Sequence, residues 1–188
     1  MGMIFWIVII IAVVYLISTY NSLVGVKNGV SKAWANIDVL LKQRHDELPK
    51  LVDTCKQYMQ HEQATLEKVI AARARVSDAR EAHNLGALGV AEGALRNGLG
   101  QLFALAESYP DLKANTQFVH LQTRISGLES AIADRREFYN ESVNINNVAI
   151  EQFPGVLVAR WFSFKAFDLL QFATEDLQDV DIAQRFKG

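Results

Sequence analysis

Cysteine is nearly absent from this chain. Cys55 is the single one in 188 residues, so no intrachain disulfide can form, and its apolar neighbours mark it as a small core filler suited to a reducing compartment. Proline is almost as scarce, at positions 49, 110 and 154. Because proline disrupts helix interiors and biases the residue before it away from helix, these positions mark boundaries or kinks. The formal net charge is −2, which gives no basic surface for nucleic acid. The constellations of enzymes are missing as well. Glu-x-x-His pairs, His-Glu-x-x-His, a phosphate loop and a Gly-x-Ser-x-Gly elbow do not occur. His45, His61, His83 and His120 are dispersed, and His61 beside Glu62 points elsewhere, because adjacent helical residues do not share a face. The chain reads as a non-enzyme with no metal or cofactor implied.

Charge is also missing from the whole opening stretch, and here the absence is itself the signal. "MGMIFWIVIIIAVVYLISTY" continues through Asn21 to Val26 without a charged side chain, and the first is Lys27. A hydrocarbon core about 30 Å thick needs roughly 20 apolar helical residues, so residues 1–26 are expected to form a single transmembrane helix. Ile4, Trp6, Ile10, Tyr15, Leu16 and Tyr20 would anchor it in the lipid bilayer, with the rings toward the two ends at headgroup level. A cleaved signal peptide would carry basic residues before the run and a small-x-small site after it, and neither is present. Lys27, Lys32, Lys42 and Arg44 follow the span against the single acid Asp38, so the positive-inside bias puts the main domain in the cytoplasm.

Beyond the span, apolar residues recur at alternating steps of three and four. The first stripe is Leu23, Val26, Val30, Trp34, Ile37 and Leu41, which carries the membrane helix onward into the next domain. A second runs from Leu48 through Val52, Cys55, Met59, Glu62, Leu66, Val69 and Arg73 to Val76. A third joins Leu85, Leu88, Glu92, Leu95, Leu99, Leu102 and Ala106, and a fourth Phe118, Leu121, Ile125, Leu128, Ile132, Arg135 and Tyr139. Each helix buries one narrow seam, so the expected fold is all-α: an N-terminal transmembrane helix followed by an antiparallel, coiled-coil-like four-helix bundle over 27–152. If Pro49 kinks rather than ends its helix, the first two segments merge into one long rod.

Glu62, Arg73, Glu92 and Arg135 put charge on those seams. They are either a buried polar network that fixes register or heads that reach water along apolar stems. Gly86, Gly89 and Gly93 with Gly100 form a track on the third segment. That track suits close helix approach, either between copies of the chain or within one bundle. Residues 153–188 form an aromatic-rich segment with an acidic tail. Trp161, Phe162, Phe164 and Phe167 could cap the bundle, lie along a bilayer interface or insert between subunits. Glu175, Asp176, Asp179 and Asp181 read as solvated.

Three stretches carry a family resemblance. "YNSLVGVKNGVSKAWANIDVLLKQRHDELPKLV", "YPDLKANTQFVHLQTRISGLESAIADRREFYNESV" and "FPGVLVARWFSF" resemble the LemA family of bacterial membrane-anchored helical proteins, from the end of the span to about Phe172. The resemblance implies one membrane helix and a long-helix bundle at the bacterial inner membrane, and a magnetosome-associated branch of the family points to membrane organisation. Asn146 departs from the aromatic residue that the family often has before its asparagine, here Asn147. In "YPD", Asp111 is expected to cap a helix or sit in the turn. The function expected is a non-enzymatic membrane scaffold that self-associates as a homo-oligomer through the glycine track and the aromatic segment. The alternative is a monomeric adaptor that presents its bundle and tail to another membrane protein.

Overall fold

The computed structural model describes residues 2–172. Among these residues helix is the only regular secondary structure, in six helices: α1 (Gly2–Lys56), α2 (Gln63–Glu81), α3 (Leu85–Ala106), α4 (Pro110–Ala114), α5 (Thr116–Glu151) and α6 (Gly155–Trp161). The acidic positions 175, 176, 179 and 181 lie outside the described residues.

α1 is continuous for 55 residues and includes Pro49. A proline there removes the amide that would bond to the carbonyl four residues earlier, at His45. Arg73 of α2 supplies the missing donor: its Nε donates to the His45 carbonyl at 3.0 Å. The break comes instead at residues 57–62, where neither glycine nor proline stands. The second heptad stripe is therefore not one helix. It belongs to the end of α1 and to α2, separated by a turn in which the Tyr58 and Met59 amides both bond to the Cys55 carbonyl. Met59 is fully buried at that turn, and seating it lets the chain reverse while the seam spacing carries on across the bend.

The described residues divide into two compact units. The first comprises 2–42 and 129–169. In it the stripe of α1 is buried at Leu23, Val30, Ile37 and Leu41, and α5 buries Ile132, Tyr139 and Val143. Trp34 meets Tyr139 edge-on at 5.8 Å, while Leu23 clusters with Ala149, Ile150, Val158 and Ala159. Each fully buried aliphatic side chain contributes about 1.5–3 kcal/mol. Arg135, placed on the α5 seam by its spacing, is exposed.

The second unit comprises 43–128 and 170–172. α2 and α3 fold back on each other through residues 82–84, with Val69 against Gly98. α2 ends in a Schellman arrangement, its last carbonyls at Ala79 and Arg80 accepting from the Asn84 and His83 amides at 3.0 and 3.1 Å. His83 holds φ 51° there, a left-handed conformation that glycine usually takes. Asn84 then caps α3, accepting from the Ala87 amide at 2.9 Å. In the "YPDLKAN" corner, Pro110 opens α4 behind Tyr109, so Asp111 lies inside the first turn rather than at the cap. Asn115 caps the following helix, accepting from the Phe118 amide at 3.0 Å and donating to the Tyr58 hydroxyl at 3.0 Å.

Candidate functional site

The N-terminal half of α1 is long and apolar enough to cross a membrane, and none of its most apolar stretch is buried by the rest of the protein. Ile4, Trp6, Ile10, Tyr15, Leu16 and Tyr20 are all exposed, from 67% at Ile4 to 36% at Tyr20. So large an apolar circumference facing outward needs a non-aqueous neighbour.

In the first unit the chain returns to this helix. A Schellman arrangement stops α6, with the Phe164 amide bonding to the Ala159 carbonyl at 2.9 Å and Ser163 at φ 55°. This stop turns Phe162 and Phe164 back toward α1. The Tyr20 ring lies 4.7 Å from Phe162 and 5.8 Å from Phe164. Beside these rings is a cleft of about 440 Å³ lined by Leu16, Ile17 and Tyr20 of α1 and by Leu157, Val158, Trp161 and Phe162. Trp161 is 84% exposed, whereas Phe164 and Phe167 are half-buried.

Side chains of α5 hold the segment after α6 in place. Asn147 donates to the Phe167 carbonyl at 2.9 Å and accepts from the Phe167 amide at 3.0 Å, and its Oδ1 also accepts from the Asn146 side chain at 3.2 Å. Buried Asn146 donates to the Lys165 carbonyl at 3.4 Å, and the Tyr139 hydroxyl donates to the Asp168 carbonyl at 3.1 Å. Burial first, and then the Asp168 charge, pushes the Tyr139 phenol above its usual range and keeps it a donor. At the departure in the sequence, Asn146 thus makes a backbone contact that a phenylalanine could not make.

The charged seam residues of the second unit take separate partners. Glu92 forms a buried ion pair with Arg44, with side chains 2% and 1% exposed. Arg73, besides its bond to the His45 carbonyl, approaches the His45 ring Nε2 with Nη2 at 2.6 Å. A guanidinium has no acceptor, so this nitrogen must be unprotonated. Burial, and then the Arg73 charge, lowers the His45 pKa accordingly. Glu62 accepts from the Tyr109 hydroxyl at 3.3 Å.

Of the glycine track, Gly89 is covered by the chain itself, since an added Cβ would collide with the Gln171 carbonyl, while Gly86 faces open space but for its neighbour Asn84. Gly93 is half-buried. Beside Gly89, the Arg96 guanidinium lies 5.8 Å from the Phe172 ring centre.

Spacing alone misses Arg44, His45 and Leu157 as participants. Arg44 was legible: it falls three residues after Leu41 and four before Leu48, the seam position between the first two stripes. For chemistry the arrangement offers little. Among the described residues no three His, Cys, Asp or Glu side chains gather to hold a metal, and burial pushes the Cys55 thiol up to about 12, far from a reactive thiolate.

A long helix with an outward apolar half, continuous with a packed helical domain, defines a membrane-associated helical protein. The chain belongs to the LemA family, whose model matches residues 33–183. It is also similar to magnetosome protein MamQ of Magnetospirillum gryphiswaldense, at 36% identity over 75 residues, which are 40% of this chain and 28% of that protein. Magnetosome proteins MamQ 1 and MamQ 2 of Paramagnetospirillum magneticum are 33% identical over 81 residues, 43% of this chain and 30% of each relative. The match therefore spans less than a third of the length of these relatives.

Proposed function

We propose that the protein is a non-enzymatic scaffold of the bacterial inner membrane. Residues 1–26 span the bilayer once, residues 27–152 form an antiparallel four-helix bundle, and neighbouring copies associate laterally to organise the membrane. The observation that carries this reading is the continuity of α1, in which one unbroken helix runs from Gly2 to Lys56 and supplies both the exposed apolar stretch and the buried stripe. A helix shared in this way carries the anchor without a break into the buried stripe of the first unit. Confinement to the bilayer then raises the effective concentration of neighbours. The outward face of α3, with Gly86 uncovered and Val90 64% exposed, supports a contact with a second copy. Lys27, Lys32 and Lys42 beyond the span favour a cytoplasmic domain.

Two measurements test the proposal. The full-length protein is expected to stay with membranes through an alkaline wash and to leave only in detergent, and release by the wash refutes the anchor. In mild detergent its mass is expected to be a multiple of one chain and to depend on protein concentration. A monomer at every concentration refutes the scaffold and leaves an adaptor that engages another membrane protein.

A further inference from the structure

We propose that α6 and the aromatic turn after it are a second membrane contact, lying in the headgroup and upper acyl region of the bilayer beside the point where α1 emerges. This rests on the reading of residues 1–26 as a membrane span and adds a surface to it.

Sidedness of α6 is the first argument. Its small residues Gly155 and Ala159, with Val158, face the protein, while Leu157, Trp161 and neighbouring Phe162 are 58%, 84% and 57% exposed. Phe153, just before it, is 79% exposed. A short helix on a water-facing surface would turn its polar side out, and this one turns out its largest apolar side chains.

Depth is the second. The cleft between α1 and α6 has Leu16 and Ile17 as one wall and Leu157, Trp161 and Phe162 as the other. Leu16 lies four residues before Tyr20, about 6 Å deeper along the helix axis. If the Tyr20 ring marks the headgroup belt, as amphipathic aromatics do, the exposed face of α6 sits within the ~5–10 Å depth that interfacial helices occupy. One wall of the cleft already belongs to the lipid-facing surface of the span, so what fills it is continuous with what surrounds the span: acyl chain.

Charge is the third. From Gln152 to Phe167 the only charged residues are Arg160 and Lys165, both exposed. These two cations lie inside the apolar segment, where they suit anionic phospholipid headgroups, and the exposed acids Glu151 and Asp168 bound it at its two ends. The segment cannot swing away freely, because Asn146 and Asn147 hold Lys165 and Phe167 by their backbones.

The test uses full-length protein in vesicles of phosphatidylcholine and phosphatidylglycerol brominated at upper acyl carbons, with single-tryptophan variants. Trp6→Phe with Trp34→Phe leaves Trp161 as reporter, and Trp34→Phe with Trp161→Phe leaves Trp6. Trp161 emission is expected to fall by about twofold or more relative to unbrominated vesicles, as for a ring at the acyl boundary, and aqueous iodide is expected to quench it little. Trp6 reports the anchor separately. Trp6 quenched by bromolipid with Trp161 unquenched overturns the second contact and leaves the anchor standing. Both unquenched overturns the anchor and the contact with it. Trp161 shielded from iodide, unquenched by bromolipid and exposed again on dilution with excess lipid assigns the surface to a second copy and overturns the proposal.

Discussion

Removing the Arg73 guanidinium should destabilise the protein by an amount that depends on whether residue 49 is proline. In Arg73→Met the apolar stem remains, but the donor at 3.0 Å from the His45 carbonyl and the donor at 2.6 Å from the His45 ring are lost. A hydrogen bond from a charged donor contributes about 1.5–3 kcal/mol. Both bonds are only partly buried, so water replaces part of each, and a total of about 2–3 kcal/mol is expected. In a chain of this size that lowers the melting temperature by roughly 5–10 °C. Pro49→Ala restores an amide four residues after His45, and that carbonyl then has an intrahelical partner. In the Pro49→Ala background the Arg73→Met penalty should therefore shrink by about 1 kcal/mol, the net worth of one hydrogen bond. Thermal or urea melts of the four proteins in one detergent, followed by far-UV circular dichroism, give the coupling directly. An equal penalty in both backgrounds refutes the idea that Arg73 serves the carbonyl that Pro49 leaves free, and a penalty below about 0.5 kcal/mol refutes the pairing altogether.

The His45 pairing also sets a pH dependence. Its pKa is lowered in the fold below the ordinary histidine value of about 6.5, so the unfolded chain takes up the proton first. This contribution to stability is complete above about pH 6.5 and declines as pH falls toward the folded pKa. His45→Gln, which can still accept from Arg73 but does not titrate, should flatten the slope of stability between pH 7 and 5, roughly the window in which a histidine changes charge. Breaking the Arg44–Glu92 pair with Glu92→Ala leaves a buried guanidinium and should cost about 3–5 kcal/mol in a denaturant melt, whereas Arg44→Met with Glu92→Leu should recover most of it. Asn147→Ala removes both bonds to Phe167 and should cost about 1–3 kcal/mol, with faster protease cleavage around residues 163–170. Gly89→Ala drives a methyl group into the Gln171 carbonyl and should cost about 1–3 kcal/mol. A melt unchanged from that of the parent protein would show that Gln171 does not lie there.

Much of this molecule can be read along the chain because its information is periodic. The uncharged opening, the steps of three and four, and the "YPDLKAN" corner are local patterns, and local geometry turns them into an exposed apolar helix, buried stripes and a capped turn. Of the third stripe, Leu88, Glu92, Leu95, Leu99, Leu102 and Ala106 are all buried. The reversal at 57–62 could not be read in this way. No residue there forbids a helix and the seam spacing runs on through it, yet α1 ends in a turn at which Met59 is fully buried. Pro49 misleads in the opposite sense, because its helix-breaking cost is offset by Arg73, more than twenty residues away.

Sequence by itself determined that the chain is helical, that its opening residues seek a non-aqueous surrounding, and which side of each helix turns inward, since each follows from the order of apolar and charged residues within a few turns. Tertiary structure alone decided which charged residues share a partner, where the first long helix stops, and that the chain after α6 comes back to Tyr20. These depend on contacts between residues tens to more than a hundred positions apart, and such contacts are selected by the packing free energy of the whole unit rather than by any local preference.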